Sequence, residues 1–343
     1  MFLRKRIELI KYNYGANYYY NYINKVGLIK FMTDDDALNF NSITPAALAV
    51  LEAKSFTSIP FAKETYGILT RSKSNELERD NRLPRKSFAI SKYKEVSNNK
   101  IHLSEEIILR IMHFETRYLS IDKGLRELDY NNVLELASGF SFRGLDFCKN
   151  PIIHFIDTDL HNIIESKKKI ISELTKRYCD YQSTNLIVQS LNVFDEKEFF
   201  NTISIFNDEP MAIVNEGLLI YLNLEQKEQL CKIIHEILSK HGGYWINADI
   251  YQNDEIERKN LDKYYNQDDK NFVANHNIEN NKFIDFGVAK DFFSRCGFEI
   301  SKKIEVEERD LSSFKLLSEN YPSSKNKSLG KGKTRETWIL KPR

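Results

Sequence analysis

The chain has few devices that could hold it together from outside its own core. Its 343 residues include only four cysteines, Cys148, Cys179, Cys231 and Cys296, far apart and with no C-x-x-C pair. That argues against a disulfide framework and for free thiols in a reducing compartment. Charge of one sign is missing too: 50 Lys and Arg stand against 49 Asp and Glu, a formal net charge of +1. No global field recruits nucleic acid or an anionic membrane. No apolar run reaches the roughly 18 residues that span a bilayer. The opening MFLRKRIELIKYNYG has basic residues but lacks the apolar stretch of a signal peptide. Histidines and cysteines show no metal-ligand spacing. The expectation is a cytoplasmic protein with no nucleic-acid, membrane or metal partner.

What is present is alternation. From Asn131 short apolar runs recur at Val133–Leu136, Ile152–Ile156, Leu186–Gln189, Met211–Val214, Tyr244–Ala248, Phe298–Ile304 and Thr337–Leu340. Amphipathic helices separate most of them. One carries Ile163, Ile164, Ile170, Ile171 and Leu174, and another runs from an Asn223 cap to Gly242. Strands alternating with helices of this length predict βαβ units and a parallel sheet covered on both faces. No helix-length segment separates the last two runs, so they are expected to pair as an antiparallel hairpin at the edge. The fold class that follows is α/β: a doubly wound, seven-stranded, mostly parallel sheet with an antiparallel last strand.

Upstream, residues 1–128 read as a helical cap or entrance region on a core spanning 129–343. The cap includes the aromatic run at 17–22, read as an amphipathic face, and a helix from Thr44 opened by Thr44-Pro45. Residues 70–100 are charged and weakly periodic, and read as a solvated excursion. Ser104 can cap a helix carrying Ile107, Ile108, Ile111, Met112 and Phe114 that leads to Arg117. The polar insertion 251–285 is positioned to act as a lid.

Open α/β sheets bind ligands beyond the carboxyl ends of their strands. The residues there are Glu135 and the small turn Ala137, Ser138 and Gly139; then Asp157 and Asp159; then Asn192 and Asp195; then Asn215 and Glu216. A nucleoside matches them: its ribose diol suits a carboxylate and its amino group a side-chain oxygen. A dinucleotide does not, because G-x-G-x-x-G would fall on residues 137–142, where only Gly139 is present and Phe142 stands at the third glycine. An adenosine ligand without pyrophosphate, S-adenosylmethionine (SAM), fits better. Glu135 reads equally as a ligand neighbour or a local cap. Asp157 reads more as a turn-former than Asp159 does, and Arg143 as support for the helix start or for an acidic partner.

ELASGFSFRGL, FIDTDL, SLNVFD and VNEGLLIYL, in this order, resemble the leucine carboxyl methyltransferase family, which includes polyketide O-methyltransferases. The resemblance extends over roughly residues 42–250, with EG-x-x-x-YL its most distinctive piece. It implies a Rossmann-like, SAM-dependent methyltransferase. It implies further that Arg117 takes the SAM carboxylate and that Ala137 and Gly139 form the turn against the methionine. Asp159 would hold the ribose, Asn192 and Val193 flank the adenine, Glu216 meet the methionine end, and Tyr221 face the pocket. Three positions depart from the family: Ala137 replaces a glycine, Ser141 an acid and Asn192 an aspartate. No N-terminal lysine matches the family's cofactor contact.

The implied reaction moves a methyl group to an oxygen. A carboxylate acceptor, on a small molecule or a peptide end, is ionised at neutral pH and needs no base. A phenol would call on His154, His161 or His276. Asn215-Glu216-Gly217 lacks the Asn-Pro-Pro-Tyr character of amino-group methylation, which favours oxygen. The alternative is a SAM-binding module that has lost catalysis, motivated by the three departures.

Overall fold

Short runs of β-branched and other apolar residues bounded by turns become strands, and the longer amphipathic stretches between them pack on both faces of one sheet. In the computed structural model, residues 44–75, 95–97, 100–177, 185–253, 267–322 and 334–343 are described. The expectations for residues 1–43 (the tyrosine run among them), for most of the charged stretch 70–100, for Cys179 and for residues 254–266 of the polar insertion lie outside these residues.

In chain order the elements are α1 (Thr44–Lys54), α2 (Ala62–Asn75), a two-stranded ribbon of β1 (Glu95–Ser97) and β2 (Lys100–His102), and α3 (Glu105–Leu128). There follow β3 (Asn132–Leu136), α4 (Arg143–Phe147), β4 (His154–Asp159), α5 (His161–Arg177), β5 (Leu186–Ser190), α6 (Glu196–Ile203) and β6 (Met211–Asn215). A 3-10 turn at Leu219–Tyr221 leads to α7 (Leu224–His241) and β7 (Gly243–Tyr251). The chain ends with α8 (Gln267–Asn275), α9 (Ile278–Asn281), α10 (Phe286–Arg295), β8 (Phe298–Ile304), α11 (Ser312–Asn320) and β9 (Arg335–Pro342).

The sheet order is β5-β4-β3-β6-β7-β9-β8. β5, β4, β3, β6 and β7 are parallel, and β9 runs antiparallel to both neighbours. All five residues of β3 are buried, as a strand covered on both faces requires. Helix starts follow the sequence signals. The Ser104 hydroxyl accepts from the Ile107 N–H, and Asn223 and Gln226 form a reciprocal capping box on α7. Where α7 turns into β7, Gly243 is obligatory: a Cβ there would lie 1.8 Å from the Met211 carbonyl oxygen.

Two expectations are corrected. A nine-residue helix, α11, separates the last two strands, and β9 inserts between β7 and β8, so β8 forms the edge. The short helix has weak apolar spacing. It is fixed instead by Glu115, which accepts backbone N–H groups of Ser312 and Ser313 at 2.9 Å and both of their hydroxyls. The second strand begins at His154 rather than Ile152, which is exposed, and continues through Asp159.

Helix α1 crosses the carboxyl end of the sheet, its Leu51 packing in one cluster with Tyr118, Phe140 and Phe142. Among the described residues no helix is long and apolar enough to cross a membrane.

Candidate active site at the carboxyl ends of β3, β4 and β6

β3 ends in a turn that bends back on itself through left-handed residues, Ala137 (φ 49°) and Gly139 (φ 54°). Alanine replaces the family's glycine at a positive φ, so Ala137 carries strain of about 1 kcal/mol. The Gly139 N–H donates to Asp159 Oδ2 and the Leu160 N–H to Asp159 Oδ1, each at 2.7 Å. Asp159 thus stitches the ends of β3 and β4 together and remains half-buried. Burial raises its carboxyl pKa, against the pull of those two N–H groups. A Cβ on Gly139 would meet Ala47 at 3.6 Å, so α1 roofs the turn.

Beneath the turn, Asp157 and Ser138 are engaged by the chain itself. Asp157 is buried against Lys167 of α5 (Nζ to Oδ2, 2.6 Å) and accepts from the Ser138 hydroxyl. Lys167 also donates to Ser138 Oγ at 2.8 Å. Asp157 and Ser138 thereby tie the turn to Lys167 in the helix layer.

A second set of charges joins three helices to the sheet. Glu216, directly after β6, accepts from Lys54 of α1 (2.6 Å) and Arg117 of α3 (3.1 Å) through Oε1, and from Arg143 of α4 (3.1 Å) through Oε2. Arg143 is fully buried, pairs with Asp122 at 2.7 Å and with Glu135, and stacks over the Tyr118 ring at 4.1 Å. Its reading as a support for acidic partners is borne out. Three cations face three carboxylates, the balance a buried cluster needs. Burial alone would raise the Glu216 pKa; Lys54, Arg117 and Arg143 outweigh it and hold the carboxyl well below its usual range. Glu135 is pushed upward by burial despite Arg143, and its Oε2 is buried with no hydrogen-bond partner.

The loop carrying Glu216 is held from the next strand. Asp249 of β7 accepts from the backbone N–H groups of Gly217 (2.7 Å), Leu218 (2.7 Å) and Leu219 (3.2 Å), and from the Asn215 side chain (2.7 Å). Gly217 sits at φ 81°, where a Cβ would come within 3.3 Å of Arg117. Tyr221 lies edge-on to Phe272 and His276, at 6.5 and 6.0 Å between ring centroids, beside Ala49 of α1. Beyond β5, Asn192 is exposed and its Oδ1 accepts from the Phe194 N–H, and Val193 is half-buried. Asp195 caps α6.

Of the three candidate histidines, only His276 lies beside Tyr221. His154 is exposed at the opposite, amino-terminal end of β4, which removes it, and His161 is exposed at the start of α5. Sequence reasoning missed Lys54, Asp122 and Asp249. Two of these left a trace. Asn247 and Asp249 interrupt an otherwise apolar strand, and Lys54 closes α1 one turn after the buried Leu51.

The sequence matches no protein-family model and no curated protein. Among solved structures the chain is similar to a SAM-dependent methyltransferase from Anabaena variabilis, at 15% identity and a TM-score of 0.44, covering 66% of this chain and 84% of that one. It is also similar to magnesium protoporphyrin IX methyltransferase from Synechocystis with bound S-adenosylhomocysteine (SAH), at 7% identity and a TM-score of 0.41, covering 80% and 99%. A third likeness is to PigF with SAH, at 12% identity and a TM-score of 0.37, covering 91% and 100%. The architecture itself rests on the strand order given above.

Proposed function

We propose that this protein is a SAM-dependent O-methyltransferase whose acceptor oxygen belongs to a carboxylate, on a small molecule or a peptide end. The observation that carries the reading is the cradle formed when the Gly139 N–H binds Asp159, next to a buried carboxylate oxygen, Glu135 Oε2, that lacks a donor. The residues fit the cofactor. A ribose diol can use the remaining lone pairs of Asp159, an ammonium group can supply the donor missing at Glu135, and Arg117 can take the carboxylate. Asn192 and Val193 would border the adenine.

When bound, SAM supplies a methyl group on a sulfonium that an oxygen nucleophile can displace. The chain's own part is alignment and exclusion of water. Helix α1 covers the turn, and the Glu216 cluster ties α1, α3 and α4 to the sheet end. A carboxylate nucleophile is ionised at neutral pH, so no proton has to be removed. Tyr221 and His276 would line the acceptor side.

Calorimetric titration tests the reading. The protein should bind SAM, Asp159→Ala should weaken that binding by about tenfold or more, and Asp159→Asn, which keeps the shape, by less. No heat of binding at millimolar SAM would end the claim. The strained Ala137 under the α1 roof favours one other reading, a SAM-binding module without turnover. Incubation with labelled SAM and a panel of carboxylic acids separates the two, because the module yields no methyl ester.

A further inference from the structure

β8 runs antiparallel to β9, and β9 antiparallel to β7, so β8 begins at the amino-terminal end of the parallel sheet, opposite the ligand edge. There the turn from α10 into β8 packs directly on α7. Gly297, at φ 88°, brings the backbone so close that a Cβ would lie 2.6 Å from His235 Nε2. The next residue, Phe298, meets the His235 ring edge-on at 5.3 Å between centroids. This approach joins two of the free cysteines. Cys296 caps the end of α10 immediately before Gly297, and Cys231 lies one turn before His235 on the same side of α7. Cys231 is buried and Cys296 half-buried, and the Cys231 thiol donates a hydrogen bond to the Cys296 sulfur.

The two thiols are chemically unequal. Burial pushes the Cys231 thiol up and keeps its proton in place. The hydrogen bond from Cys231, aided by Arg295, draws the Cys296 thiol down against burial and Glu228. The accessible sulfur is thus the one that gives up its proton more readily, with a protonated thiol directly behind it. Nucleophilic cysteines have this environment, and inert structural ones do not. Cys296 also opens on a surface cleft of about 650 Å³, which is lined by Lys232, Lys240 and Arg295 and by Glu228 and Glu236. Charges of both signs around a sulfur suit a small peptide-like molecule carrying carboxylates and an ammonium group. Among the described residues no three His, Cys, Asp or Glu side chains are grouped as a metal ion needs.

We propose that Cys231 and Cys296 form a redox-active dithiol, with Cys296 the attacking and Cys231 the resolving thiol, oxidised reversibly by a low-molecular-weight peptide disulfide. In the first step the Cys296 thiolate bonds to one sulfur of that disulfide. Its S–S bond breaks, and one thiolate leaves with the electron pair. In the second step Cys231 loses its proton and bonds to Cys296 Sγ, releasing the other half. The protein dithiol is oxidised by two electrons and the small disulfide is reduced to two thiols. Their two protons are the one from Cys231 and the one that Cys296 had given to water. The new bond fastens α7 to the turn that precedes the edge strand. The site goes beyond methyl transfer and stands whether or not SAM binds, because its residues lie at the other end of the sheet.

The test incubates the reduced full-length protein with oxidised glutathione at neutral pH, quenches with acid, alkylates the remaining thiols and maps the peptides by mass spectrometry. Wild type should yield a Cys231–Cys296 cross-link that dithiothreitol reverses. Cys231→Ser should stop at the first step, with one glutathione held on Cys296. In Cys296→Ser, Cys231 should be modified about tenfold more slowly than Cys296 is in the other variant, or slower still. Three results would overturn the proposal: a wild type in which Cys296 stays reduced or ends as a mixed disulfide, a cross-link that forms only in denaturant, or a Cys231 that reacts as fast as Cys296. If a serine variant does not fold, the wild-type peptide map decides by itself.

Discussion

Lys167 is a cation set into an apolar stripe, four residues after Ile163 and three before Ile170, and it is as buried as they are. Such a position demands a partner, and Asp157 is that partner at 2.6 Å. Together with Ser138 they form the floor on which the β3 turn rests. Removing one member of a buried pair leaves the other uncompensated. Lys167→Met is therefore expected to cost about 3–5 kcal/mol in chemical denaturation, with the Lys167→Met, Asp157→Leu double variant recovering much of the loss. If the single variant is as stable as wild type, the floor is not built as described. The same residue shows what a sequence conceals. The spacing 163, 164, 170, 171, 174 reads as a helix face at once, but a lysine inside it reads as an exception until the strand opposite is known. Asp157 and Asp159 look alike in FIDTD; alternation assigns them one face of the sheet. Only the packing of α5 decides that one serves the floor and the other the rim.

At the level of elements, α1 is attached to the sheet end at two points. Ala47 covers the Gly139 turn and Lys54 reaches Glu216, one helix length away. Lys54 also lies over the Tyr118 ring, at 4.8 Å from its centroid. Replacing Lys54 by Met keeps the apolar stem and removes the ion pair, while Arg117 and Arg143 still neutralise Glu216. A modest loss of about 1–3 kcal/mol is expected, concentrated in α1. Hydrogen exchange should report faster opening across residues 46–54 and little change in β3 or β6. Uniformly faster exchange through the sheet would mean that α1 is part of the global folding unit. The helix boundaries of α3 and α7 were legible because Ser104, Asn223 and Gly242 are local signals. α11 was not, because its start is stabilised by Glu115, 197 residues earlier in the chain.

For the whole molecule, the charge total of +1 hides how the charge is arranged. Glu216 has a depressed pKa in the folded state and an ordinary one, near 4.3, when unfolded. Its contribution to stability is therefore complete above that ordinary value and is lost as the pH falls below it. Thermal melts should show a steep loss of stability below about pH 4 that is shallower in Glu216→Gln, a variant already less stable at neutral pH. Identical acid slopes would remove Glu216 from the account of acid sensitivity. The parallel core, its strand count and the ligand edge follow from apolar periodicity and the chirality of βαβ units, both properties of short segments. The cluster around Glu216 joins residues 54, 117, 143 and 216, and no local pattern announces such a meeting.

β9 occupies the place between β7 and β8, so the backbone ladder of β8 has no strand to bind until residues 335–342 arrive. During synthesis, everything through α11 emerges while that slot is still open. The nascent domain must therefore wait with a bare β7 margin, and its final cooperative step is the threading of one late segment between two earlier ones.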